Sequence, residues 1–116
     1  MLILIVMKQY VIDELRSTDY KKLKAYFQDH FSTGSLDGIY WLPVESDLLT
    51  KAQTEHSACQ PLCVAIDLED NRVVFELLLR SQDRIRCSCM GYATEAQRNW
   101  VIQYADAILD QLEIKA

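Results

Sequence analysis

The residues of this chain with the clearest capacity for chemistry are four cysteines and a histidine. Thiolate and imidazole groups bind zinc, and a thiol beside an imidazole can act as a nucleophile. They form two close groups, His56, Cys59 and Cys63 and then Cys87 and Cys89. Their C-x3-C and C-x-C spacings differ from the paired C-x2-C of zinc knuckles. We therefore predict no metal and no cofactor, and keep a thiol or metal-binding protein as the second alternative.

Other signatures of catalysis are missing from the sequence. The chain has three glycines, too few and too scattered for a phosphate loop or a dinucleotide-binding fingerprint, and it has no nucleophile elbow. His56 and Cys59 lie near the end of a predicted helix, but nothing nearby in the sequence supplies the third group that orients such a pair. Because catalytic sites also assemble from distant residues, the sequence leaves open whether the protein is an enzyme.

Three arginines are the best candidates for binding a ligand. In a predicted hairpin with its loop at residues 81–83, Arg80 lies opposite Arg84, and Arg86 follows on the same face. Glu76 on that face offsets one guanidinium, and an unbalanced arginine suits a carboxylate or phosphate, which it binds through two parallel hydrogen bonds. The predicted binding site is therefore Arg80, Arg84, Arg86 and Glu76. Its predicted ligand is a small anion or an acidic segment of a partner.

Alternating apolar residues predict the three antiparallel strands that carry these arginines. Residues 62–68 alternate, and Asp70 and Asn71 supply the turn. The predicted pairs across that turn are Leu68 with Val73, Ile66 with Phe75, Val64 with Leu77, and Leu62 with Leu79. Across the second loop they are Leu79 with Ile85, Leu77 with Cys87, and Phe75 with Cys89. One face of all three strands is then apolar, and the opposite face is mixed.

The remaining elements follow from helical spacing and turn residues. The predicted elements are a strand over residues 8–15, a helix capped by Ser17 or Thr18, a strand over residues 39–42, a helix capped by Ser46 or Asp47, and a C-terminal helix that begins with a capping box of Thr94 and Gln97. The order βαβαβββα predicts a single α+β domain over residues 1–116. We expect a largely antiparallel sheet with a C-terminal three-stranded meander and helices packed mainly on one face.

Composition and charge narrow the functional classes. Half of the residues are hydrophobic and a quarter are charged, which is typical of a packed domain and not of disorder. Twelve Lys and Arg against 17 Asp and Glu give a net charge of −5, a sign that opposes nucleic acids and anionic membranes, so we predict neither as a partner. Residues 1–7 lack the basic flank and cleavage site of a secretory signal, and we expect a cytoplasmic protein with reduced thiols.

The apolar residues 1–6 also bear on function. As an unpaired strand this run would promote aggregation unless another strand or a second chain covers it. The alternative is that Met7 is the natural start and that the run is not part of the natural protein. We therefore predict a homodimer or a protein partner. The favoured function is a protein-interaction or self-associating module without catalysis, which docks through the mixed sheet face or an uncovered edge strand. The first alternative is a binder of a small anion, with or without catalysis, on the arginine-bearing face.

Overall fold

The computed structural model describes residues 8–33, 38–55, 62–81 and 91–115. The strands are β1 (Gln9–Ile12), β2 (Ser32–Thr33), β3 (Ile39–Pro43), β4 (Leu62–Leu68), β5 (Val73–Glu76), β6 (Leu78–Ser81) and β7 (Gly91–Tyr92). The helices are α1 (Ser17–His30), α2 (Lys51–Thr54) and α3 (Glu95–Gln111), and a short 3-10 turn spans Ser46–Leu48. Every strand pairing in these ranges is antiparallel, which confirms the predicted α+β class. No helix within them is long and apolar enough to cross a bilayer.

The strands form a sheet whose order is β1-β5-β4-β3-β2. β5 and β6 follow each other along the chain, and both pair with β4 on one side. On the other side β5 pairs with β1, and β6 pairs with β7. Leu77 joins the two halves, because its N–H donates to the Lys8 carbonyl over 3.0 Å and its carbonyl accepts from the Ala93 N–H over 2.9 Å. Two separate strands, β1 and β7, therefore lie along the same side of the segment 73–81, which comprises β5, Leu77 and β6.

The predicted register of the first hairpin is confirmed near its turn and wrong beyond it. Ile66 lies opposite Phe75 as expected. Leu62, however, lies opposite Ser81 and not Leu79. The two-residue shift arises around Leu77, because four residues, 76–79, face only two residues of β4 there and form a bulge. Because side chains alternate with a period of two, an even shift preserves the faces, and Leu77 and Leu79 are buried as predicted.

The predicted third strand of the meander is wrong in register. Phe75 lies opposite Tyr10 of β1, and not opposite Cys89. Leu79 lies opposite Gly91, and not opposite Ile85. The N-terminal strand thus takes the position beside β5 that the sequence pattern assigned to the strand after the second loop. Alternation could not decide between the two because it specifies a face and not a neighbour.

Both long helices cover the same face of the sheet. Phe27 of α1 and Val101 of α3 are fully buried in one cluster with Ile66, and the Phe27 ring centroid lies 5.2 Å from that of Tyr40. Apolar residues three and four apart in sequence lie on one face of a helix, and that face is buried against the apolar face of the sheet. The predicted one-sided packing is therefore correct. None of the described long helices packs on the opposite side of the sheet, which we refer to as the helix-free face.

The N-terminus of α1 differs from the predicted cap. Instead of Ser17 or Thr18, the Asp19 carboxylate closes the first turn, accepting from the Arg16 backbone N–H over 3.0 Å and from its guanidinium Nε over 3.1 Å. These bonds hold the pKa of Asp19 below its ordinary value, because they favour the charged carboxylate.

A buried amide pair connects the N-termini of α2 and α3. The predicted capping box of Thr94 and Gln97 is confirmed. The predicted second helix starts later than expected, since Thr50 and Gln53 form its capping box and replace Ser46 or Asp47. Gln97 is fully buried, and its Nε2 donates to Gln53 Oε1 and to the Leu48 carbonyl, each over 2.9 Å. One side chain thus fixes the start of its own helix and that of its neighbour.

Candidate protein-interaction site

The predicted arginine site is only partly within the described residues. Glu76 and Arg80 lie together on the helix-free face, with Arg80 Nε 3.2 Å from Glu76 Oε1. The bulge at Leu77 brings them close, since four residues of an unbroken strand would span roughly 13 Å. Both atoms are shielded from solvent and are not aligned for a hydrogen bond, so this is an ion pair without one. Arg84 and Arg86 lie outside the described residues, and their share of the site stays a prediction.

The cysteine and histidine candidates carry no assignable chemistry in the described part of the chain. Cys63 is fully buried and lies opposite Arg80 and Pro43. Cys59, Cys87, Cys89 and His56 fall outside the described ranges. Within those ranges no three His, Cys, Asp or Glu side chains group closely enough to hold a metal ion. The thiol or metal alternative therefore stays a hypothesis.

On the helix-free face, the β1 edge exposes the apolar side chain of Val11. Strand pairing places Val11, Val74 and Asp67 in one row across β1, β5 and β4. Val74 is buried, whereas the Val11 side chain is 39% exposed. Tyr92, which lies opposite Leu78, is 50% exposed. Among the described residues these are the exposed large hydrophobic side chains, and both belong to the two strands that border the segment 73–81.

The outer side of β1 offers backbone groups to a further strand. The bond from Leu77 N–H to the Lys8 carbonyl fixes the phase of the β1–β5 ladder. Because hydrogen-bonded pairs alternate in an antiparallel ladder, Tyr10 and Ile12 direct their N–H and carbonyl groups to β5. Val11 directs its own groups outwards. In the described part of the chain no strand pairs with that side of β1.

A groove of about 690 Å³ runs beside β1, between that strand and the C-terminal half of α3. Its lining residues are Tyr10, Val11, Ile12, Asp13, Glu14, Asp106, Leu109, Asp110, Ile114 and Lys115. The Tyr10 hydroxyl donates to Asp106 Oδ1 over 2.6 Å and ties the strand to the helix. This hydrogen bond, with smaller effects of burial and of the Asp106 charge, raises the pKa of Tyr10 to about 12.

The groove is strongly acidic. Four of its lining residues carry carboxylates, Asp13, Glu14, Asp106 and Asp110, and all four are exposed. Among the described residues that line it, Lys115 is the one cation. Asp13 Oδ1 accepts a hydrogen bond from the Glu14 backbone N–H over 2.8 Å. Such a concentration of one sign attracts an opposite charge over roughly a Debye length of 8–10 Å at ordinary salt.

Sequence reasoning missed this groove for an identifiable reason. Asp106 and Asp110 lie four residues apart on α3, and such acids on a polar helix face usually only contact water. Their importance depends on β1 being an edge strand beside α3, which local periodicity does not reveal.

No known protein family, curated protein or solved structure matches the chain.

Proposed function

We propose that this protein is a non-catalytic interaction module that accepts an extended segment of a protein partner along the outer side of β1. The observation that carries the proposal is the outward-directed backbone of Val11 beside an open groove of about 690 Å³. Strand addition uses both features, since main-chain hydrogen bonds supply affinity and an adjacent groove selects side chains. Exposed edges of this kind are otherwise protected in natural sheets.

Two other interpretations receive less support from the described residues. Self-association through β1 would bring the acidic groove of one copy next to that of another, and like charges repel. Homodimer formation through residues 1–6 stays a prediction, because those residues lie outside the described ranges. For the small-anion alternative, Glu76 lies against Arg80, and the guanidinium charge is already balanced.

The charge and the core support the remaining proposals about partners and location. The exposed carboxylates at the groove disfavour nucleic acid, whose phosphates carry the same sign. The described residues build an extensive apolar core around Phe27 and Phe75, whereas small secreted domains with little core rely on disulfides. We therefore propose a cytoplasmic protein.

The test is a selection of random seven-residue peptides displayed on phage, with Val11→Pro as the decisive variant. Proline removes the Val11 N–H, which points away from β5, and it is tolerated on edge strands. Val11→Thr is the matched control, because it changes the side chain and retains the N–H. Circular dichroism and thermal unfolding establish that both variants are folded.

We expect enriched peptides to bind the wild type and Val11→Thr, and to lose at least tenfold in affinity for Val11→Pro. N-methylation of alternate peptide amides should cause a similar loss. Enriched peptides that bind Val11→Pro as tightly as the wild type would overturn the proposal. So would a selection that enriches no peptide.

A further inference from the structure

We propose that the segment bound at β1 is basic, with lysine or arginine at alternate positions facing the acidic groove. This inference rests on the proposed function, because it names the partner chemistry of the same edge. Its basis is the charge of the groove and its position along one side of the strand. The edge supplies the hydrogen bonds, and the carboxylates select the sign of the partner.

The geometry places cationic side chains at alternate positions of the incoming strand. Successive side chains of a strand point to opposite faces, so every second residue of an added strand faces the α3 side, where the groove lies. The intervening side chains fall on the helix-free face beside exposed Val11. A basic segment with small or β-branched residues between its cations satisfies both sides.

The carboxylates on α3 have a spacing that suits such a segment. Asp106 and Asp110 are four residues apart and therefore neighbours on one helix face, separated by roughly 6 Å along the axis. Alternate residues of a strand are about 6.6 Å apart. The Tyr10 hydroxyl holds Asp106 through Oδ1, which orients this carboxylate before any ligand arrives. Pre-oriented groups lose less conformational freedom on binding.

The charge of the chain separates this partner from a second copy. The net charge is −5, and the described lining of the groove contributes four carboxylates against Lys115. A second copy or an acidic peptide meets repulsion at this edge, whereas a basic segment is steered towards it. This is the reverse of the acidic partner segment expected from the arginines.

The experiment uses two fluorescently labelled seven-residue peptides with capped termini. In one, Lys alternates with Thr and Val; in the other, Glu takes the place of every Lys. Fluorescence anisotropy measures their affinities for the wild type, for Val11→Pro and for the double variant Glu14→Gln with Asp110→Asn. The double variant Asp29→Asn with Glu55→Gln is the matched control, because it removes two exposed acids that do not line the groove.

We expect the Lys peptide to bind the wild type and the matched control equally, and the Glu peptide not to bind. The groove variant should weaken the Lys peptide about fivefold or more at low ionic strength, as the loss of two exposed charge pairs implies. Added salt should reduce the difference.

The outcomes separate this inference from the proposed function. If both peptides bind equally and both lose affinity for Val11→Pro, the charge preference is wrong and strand addition stands. If the Lys peptide binds Val11→Pro as well as the wild type, the attraction is purely electrostatic and strand addition is wrong. If neither peptide binds at millimolar concentration, both are wrong.

Discussion

Replacing Gln97 by glutamate tests the buried amide pair that joins α2 and α3. The substitution preserves the shape of the side chain but removes its donor. One carboxylate oxygen can still accept from the Thr94 N–H, which lies 2.9 Å from Gln97 Oε1. The other oxygen would face Gln53 Oε1 and the Leu48 carbonyl, both acceptors now 2.9 Å from Gln97 Nε2. The variant therefore loses two hydrogen bonds and places a charge against two acceptors.

The magnitude follows from the burial of this pair. Gln97 is fully buried and Gln53 is 6% exposed, so water cannot replace the lost donor. Two hydrogen bonds at about 1–1.5 kcal/mol each, with the added cost of a buried charge beside two acceptors, give a destabilisation of about 2–4 kcal/mol for Gln97→Glu at neutral pH. That is a large share of the roughly 5–15 kcal/mol by which a domain of this size is stable.

The effect of Gln97→Glu should depend on pH. Burial beside two acceptors raises the pKa of the introduced carboxyl above its unfolded value. The introduced carboxyl then has a higher pKa in the folded protein than in the unfolded chain. The variant is therefore least destabilised below the unfolded pKa of this carboxyl, and it loses stability as the pH rises through the folded pKa. The difference from the wild type should therefore be larger at pH 7.5 than at pH 4.

Urea unfolding at these two pH values measures the free energy of unfolding directly. Gln103→Glu is the matched control, because it makes the same change at an exposed position of the same helix. It should alter stability by less than about 0.5 kcal/mol. If Gln97→Glu behaves like Gln103→Glu at pH 7.5, the amide pair does not connect the two helices as described.

Two further predictions concern titrating groups on the sheet. Burial, and to a lesser degree the charge of Glu69, raises the pKa of Asp67 in the folded protein. The charged carboxylate therefore lowers the stability of the fold, and this stability is regained as the pH falls through the folded pKa towards the unfolded value. Asp67→Asn should raise the melting temperature at pH 7 and change it less at pH 4. The folded pKa of Tyr10 is raised, so the wild type should lose the stability that the Tyr10 hydroxyl contributes as the pH rises from 10 to about 12. Tyr10→Phe should lower the melting temperature at pH 7 and lose less stability over this alkaline range. A melting curve for either variant that parallels the wild type at both ends of its pH range would contradict the assigned contact.

The elements that the sequence predicts well are those with a local cause. The cap at Thr94 and the strand predicted over residues 39–42 depend on neighbouring residues; the cap is as expected, and the strand ends one residue later, at Pro43. The faces of Ile66 and Phe75 were also predictable, since a period of two leaves few alternatives when one side is apolar.

The features that the sequence could not predict depend on which distant strands become neighbours. The register beyond Leu77 changes because Lys8 and Ala93 bond to it, and both are remote in sequence. The same cause hides the groove, whose acids come from the two residues after β1 and from α3. Of the predicted arginine site, the sequence correctly placed Glu76 and Arg80 on one face, but the bulge that pairs them was not visible in the pattern.

Amide hydrogen exchange measured by NMR tests the proposed edge most directly. Tyr10 and Ile12 donate their N–H groups into the sheet, while Val11 directs its N–H outwards. We predict that Val11 exchanges quickly in the protein alone and becomes protected when the Lys peptide is added, whereas Tyr10 and Ile12 are protected in both states. A Val11 amide that is already protected in the protein alone, or one that gains no protection while the peptide is bound, would contradict strand addition at β1.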